Sequence, residues 1–195
     1  MSPVVSTVKA ENLRHDLGLM PANGLIGVPA CLATGYGSGL DPDLIRIGAL
    51  AETERYHGQI DTITWYVSSG SELDNDSLLT SFDALVNERI ATHWAARIRT
   101  PTQARLAIGN SRVRRIEIPF GSITDEILQI VGPSSAYVNF AVPASIGSAA
   151  LVALAHSTGI DEIVIEVASK RDIVTAQKTL ATIDRARGFN RFRAA

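Results

Sequence analysis

The chain has 195 residues, 46% of them hydrophobic and 19% charged, with a formal net charge of −2. That is enough apolar mass for one substantial core, and a charge so close to zero creates no general field for a polyanion. The single cysteine, Cys31, excludes an internal disulfide and a cysteine-rich zinc site, and it suits a reducing compartment.

Taken from the N-terminus, Pro3–Val8 reads as a short strand. Lys9, Glu11, Arg14, His15 and Asp16 interrupt any apolar leader, so no signal peptide is expected. The least charged stretch, Leu17–Leu40, carries glycines and prolines that would break a membrane helix, so no transmembrane segment is expected either. A soluble chain follows, cytoplasmic or within an assembled particle. Residues 23–40 read as a Gly-rich ordered loop, and a loop of that length is either functional or conceals an element. Gly35-Tyr36-Gly37-Ser38-Gly39 lacks the lysine of a phosphate loop. Asp41-Pro42 then opens a helix that ends near His57-Gly58.

Ile60, Ile63, Trp65 and Val67 mark a strand. Ser71-x-x-Asp74 opens the longest expected helix, which carries Leu78, Leu79, Phe82 and Leu85 and runs through Trp94 to about Ile98, with Pro101 as its stop. Arg105–Ile108 and Arg112–Phe120 flank Gly109-Asn110 as a β-hairpin near 105–120, with Ile116, Ile118 and Phe120 on its buried face. Ser122-x-x-Asp125 introduces a short helix to Val131. The remainder alternates: strand Tyr137–Val142, apolar helix Ser145–Thr158, strand Ile163–Val167, and a helix from Ser169. The fold class is therefore α/β (or α+β), a single compact domain over 1–195 with a mixed sheet, a parallel C-terminal βαβα unit and one hairpin. A basic aromatic tail occupies 189–195.

Three strand-like runs end at serine-bearing turns, at Ser71, Ser145 and Ser169. In α/β sheets ligands bind at such turns, which makes Ser145, Ser169, Lys170 and Arg171 candidates for binding an anion. Helix capping accounts for all three serines, and only Ser169-Lys170-Arg171 adds charge to it. Arg112, Arg114 and Arg115 in the hairpin, with Arg191 and Arg193 in the tail beside Phe189 and Phe192, are candidates for nucleic acid or an acidic partner. His15, His57, His93 and His156 have no metal-ligand spacing, and no nucleophile elbow is present, so no catalytic residue, metal or cofactor is assigned.

Low charge, high apolar content and the missing catalytic motif point to a self-associating structural subunit without catalytic activity, a homo-oligomer of shell, coat or filament type. Two alternatives stand beside it. One is a small α/β enzyme or ligand-binding domain for an anionic metabolite at the strand-to-helix turns. The other is nucleic-acid binding through the hairpin and tail arginines.

Overall fold

Short runs of β-branched and aromatic residues recur along the chain, and each becomes a strand of one sheet. In the computed structural model the described residues are 4–10, 25–29, 50, 60–67, 69–155, 161–167, 171–172, 174–175 and 178. The strands are β1 (Val4–Ala10), β2 (Leu25–Pro29), β3 (Ile60–Tyr66), β4 (His93–Arg97), β5 (Arg115–Pro119), β6 (Tyr137–Pro143) and β7 (Glu162–Val167). Each pairs in parallel with the next in chain order, and β7 pairs in parallel with β1, so the described strands close a seven-stranded barrel. Parallel neighbours need a crossover rather than a tight turn. Helices α1 (Asp76–Asn87), α2 (Pro101–Gly109), α3 (Asp125–Val131) and α4 (Ser148–Ala155) supply it between β3 and β7.

The α/β class and the parallel C-terminal unit hold, but three expectations are corrected. The sheet is wholly parallel, not mixed. The segment near 105–120 is not a hairpin: α2 precedes β5, and β5 pairs with β4 and β6. The helix expected to reach Ile98 stops at Asn87, and His93–Arg97 is a strand. One smaller element also differs: the Gly-rich segment contains β2. The expected opening helix of residues 41–57 lies outside the described residues except at Leu50, which is helical.

The helix ends explain these differences. At the C-terminus of α1, Arg89 adopts φ 60°, while its N–H donates to the Val86 carbonyl and the Ile90 N–H donates to the Leu85 carbonyl. This is a Schellman stop, with buried Ile90 covering buried Leu85. Arginine occupies the position glycine normally takes, so no turn residue announces the break. Arg89→Gly is expected to raise stability by about 0.5–1 kcal/mol by removing the left-handed strain, and the midpoint of urea unfolding would show it. Pro101 opens α2 instead of closing a helix, because Thr100 caps it by accepting from the Gln103 N–H at 3.2 Å. Asn75 caps α1 and Thr124 caps α3, each by accepting an N–H of the first turn. Ser71 and Ser122 do not cap these helices, and Ser145 stands three residues before α4 begins.

The strands have two unlike faces. Ile63, Trp65, Val67, Trp94, Ala96, Ile98, Ile116, Ile118, Val138, Phe140, Val142, Ile163 and Ile165 join the apolar core with Leu78, Leu79, Phe82 and Leu85 of α1 and Ala104 and Ala107 of α2. Phe82 lies between Trp65 and Trp94, with ring centroids at 5.4 and 5.5 Å. The alternate strand positions are mostly polar yet also covered: Thr62, Thr64, Arg97, Glu117, Asn139 and Glu162 are all buried. Side chains alternate between faces along a strand, so these residues face the barrel interior. Among the described residues, no helix is long and apolar enough to cross a membrane.

Candidate functional site

Barrel interiors of this kind are ordinarily filled by bulky branched residues. This one carries charge. Tyr66, Arg97, Glu117, Asn139 and Glu162 stand in register across β3 to β7, each beside the next in the sheet. Tyr66 and Arg97 end their strands and Glu166 is the penultimate residue of β7, so these three sit at the carboxyl ends of the strands, whereas Glu162 opens β7.

Arg97 is its centre, with a side chain only 6% exposed. Its Nη1 donates to the Tyr66 hydroxyl at 3.0 Å, to Glu117 Oε1 at 3.2 Å and to Glu166 Oε1 at 2.5 Å. The contact with Glu166 spans from β4 to β7, strands that are not neighbours, so it crosses the interior. Thr64 Oγ1 likewise donates from β3 over β4 to Glu117 Oε2 at 3.2 Å. Glu117 is buried, whereas the Glu166 side chain is 31% exposed and opens the cluster toward the rim. Burial opposes the Arg97 charge, but the hydrogen bond to Glu166 and the negative charges of Glu117 and Glu166 outweigh it. The guanidinium is held protonated, above the ordinary arginine range.

The surrounding backbone fixes this geometry. The Val67 N–H donates to the Arg97 carbonyl and the Ile98 N–H to the Glu117 carbonyl, so the ladder continues past the strand ends. Gln103, buried at the start of α2, donates from Nε2 to the Val67 carbonyl at 3.1 Å and accepts the Arg99 N–H at 2.7 Å. Arg97 and Arg99 both stand over the Tyr66 ring, at 4.8 and 5.9 Å from its centroid. One donor of the cluster is left over: Arg97 Nε is buried and has no hydrogen-bond partner among the described residues. Every side-chain hydrogen bond of Arg97 to a described residue runs through Nη1, which leaves the Nε–Nη2 edge, the fork that takes a carboxylate in a bidentate manner.

The residues singled out from sequence divide between the two ends of the barrel. Ser145 is exposed in the turn after β6, and Arg171 is exposed in the helical residues after β7. Both follow strands that end at the same rim as Glu166, and the Ala144 N–H donates to the Glu166 carbonyl at 3.1 Å. Ser169 and Lys170 lie outside the described residues, as do Arg191 and Arg193. Arg112, Arg114 and Arg115 gather at the opposite end, before and at the start of β5. Phe120, expected on a buried face, begins a 3-10 turn beyond β5 and is 43% exposed at the carboxyl-end rim.

Sequence reasoning missed Tyr66, Arg97, Glu117 and Glu166. A signal for three of them existed: Thr62-x-Thr64-x-Tyr66, Glu117 between Ile116 and Ile118, and Glu166 inside Ile163–Val167 all place polar groups on strands that helices cover on the other side. Arg97 carried none, because its segment reads as helix.

No family model matches the sequence, and no curated protein matches it. Solved structures do resemble it. A Pseudomonas aeruginosa protein assigned as an aldo-keto reductase superposes with a TM-score of 0.60 at 10% identity, over 90% of this chain and 78% of that one. The holo form of an aldo-keto reductase from Bacillus halodurans gives 0.53 at 9% identity, over 92% and 81%. A methylaspartate ammonia lyase mutant from Clostridium tetanomorphum gives 0.57 at 8% identity, covering 96% of this chain but 61% of the lyase. At such identities the likeness is one of fold. It nevertheless corrects the expectation of a structural, self-assembling shell, coat or filament subunit, since the architecture is one shared with reductases and a lyase.

Proposed function

We propose that this chain is an enzyme acting on a small carboxylate-bearing metabolite at the carboxyl-end mouth of the barrel. The observation that carries the reading is the buried Arg97, held by groups from three other strands, whose Nε donor lacks a partner among the described residues. A buried charge is costly, and an unpartnered buried donor adds to that cost. Glu117 and Glu166 offset the charge, and a substrate carboxylate on the Nε–Nη2 edge would satisfy the donor. Barrels of parallel strands place their chemistry at this end, with catalytic groups drawn from several strand ends. Of the neighbours, the lyase is named for a dicarboxylic amino acid and the reductases for carbonyl compounds.

In this reading Glu117 and Thr64 orient the guanidinium, and Arg97 binds and polarises the substrate. Glu166, carboxylate in contact with Arg97 and partly open to the rim, moves the proton. The Tyr66 hydroxyl, which accepts from Arg97, stands where it could donate toward a developing oxyanion. An intracellular setting belongs to the same reading, on the strength of the lone Cys31.

A thermal-shift screen of small keto, hydroxy and amino acids should raise the melting temperature for one class, and NMR of the mixture should then show turnover. Glu166→Gln is expected to keep binding but lower turnover by about 10²–10⁴-fold, as loss of a general acid–base group does. Arg97→Lys should weaken binding, because lysine cannot present the bidentate fork. If no carboxylate stabilises the protein, or if Arg97→Lys binds the hit as tightly as the parent chain, the proposal fails.

A further inference from the structure

The amino end of the barrel carries a second concave site that plays no part in the chemistry above. A cavity of about 450 Å³ opens there between the C-terminal part of α1 and the starts of β4 and β5, lined by Asp83, His93, Trp94, Arg112, Arg114 and Arg115 among others. A second cavity of about 520 Å³ adjoins it and shares Ser111 and Arg114. Ile108, Val113, Ile130, Pro133 and Ala136 form the apolar half of its lining. Ile108 is 37% exposed there, one of the few large hydrophobic side chains left open among the described residues.

The arginines of the first cavity differ in what they have to offer. Arg112 is committed: it donates to Asp83 Oδ2 from Nε at 3.2 Å and from Nη2 at 2.7 Å, and Nη2 also reaches Thr80 Oγ1 at 3.1 Å. Asp83 accepts the Trp94 indole N–H at 2.9 Å as well, so this group is wall structure. Arg115 stands over the Tyr137 ring at 4.5 Å and lies 3.8 Å from Glu162 Oε2, beyond hydrogen-bond length. Arg114 is exposed, and its side chain has no partner among the described residues. It sits on the ridge between the two cavities. Asp83 and Asp76 pair with Arg112, and Glu162 lies within ion-pair distance of Arg115, so among the described residues Arg114 is the guanidinium of this wall with no carboxylate beside it.

We propose that the paired cavity binds a phosphate monoester with an apolar body. Its phosphate would lie on Arg114 at the ridge, beside Arg115, and its body would lie over Ile108, Val113 and Ile130. An oligonucleotide fits less well. Single-strand binding needs open aromatic faces along an extended basic groove, whereas Trp94 is buried and the Tyr137 ring is covered by Arg115.

Isothermal titration with inorganic phosphate, phenyl phosphate and a single-stranded oligonucleotide tests this. Phenyl phosphate should bind saturably and more tightly than inorganic phosphate. Arg114→Gln, at an exposed position that leaves folding intact, should weaken both about tenfold, the worth of one charge-assisted pair. Ile108→Ser should erase the advantage of phenyl phosphate while sparing inorganic phosphate, and Glu166→Gln at the other end should change neither. Absence of saturable binding would overturn the proposal, as would binding indifferent to Arg114→Gln. Tighter binding of the oligonucleotide than of phenyl phosphate would overturn it in favour of a nucleic-acid surface.

Discussion

Arg97→Ala is expected to destabilise the protein by about 3–5 kcal/mol, because it strands the buried Glu117 carboxylate without its cation. The loss should not be read as the worth of the ion pair. Removing both charges together, as in Arg97→Met with Glu117→Leu, should recover most of the stability, since a buried pair replaced by apolar groups of similar volume is often neutral. About 1 kcal/mol would remain lost, because Thr64 Oγ1 gives up its acceptor. Ligand binding should stay abolished in the double variant. Urea denaturation of Arg97→Met, Glu117→Leu and the double variant closes a thermodynamic cycle. A stable Arg97→Ala protein would show that Glu117 does not depend on Arg97. A double variant that still binds the carboxylate hit would show that Arg97 is not its anchor.

The second large effect belongs to the helix-facing side of the sheet. Phe82 is fully buried between Trp65 and Trp94. Phe82→Ala should cost about 3–5 kcal/mol, the transfer term plus the cavity left where α1 meets β3 and β4. Two stacked contacts would go with it, each contributing about 0.5–1.5 kcal/mol in comparable pairs. Phe82→Leu keeps most of the volume and should cost clearly less. Because Trp94 is held by Asp83 at the amino end, the damage should spread toward that cavity while Arg97 keeps its partners. Near-UV circular dichroism would report the disturbed tryptophans. An unchanged unfolding midpoint for Phe82→Ala would contradict the packing described.

The two faces of the strands separate what could be read from residues and what could not. Ile63, Trp65 and Val67, or Ile163 and Ile165, announce one buried face by their spacing, and they are buried. The polar alternates Thr64, Glu117 and Glu166 read as the solvent side of a half-exposed sheet. Closure of the barrel encloses that side instead. Alternation records that two faces differ, not whether the polar one meets water or the interior of a barrel. The misread stretch 88–110 has a local cause as well. Arg89 ends a helix in a conformation its own type disfavours, and Pro101, valid either as a stop or as a first helical residue, was assigned the wrong role.

Element-forming tendency and the parallel C-terminal unit thus follow from short-range chemistry: β-branched runs, a few caps, and crossovers long enough to hold a helix. The candidate site does not, because it is made from groups far apart in the chain. Arg97 and Glu166 are 69 positions apart and Thr64 and Glu117 are 53 apart. Each is unremarkable in its own segment. Only the pairing of β7 with β1 turns the sheet into a barrel, brings those side chains together inside it, and leaves the Nε of Arg97 buried without a partner among the described residues.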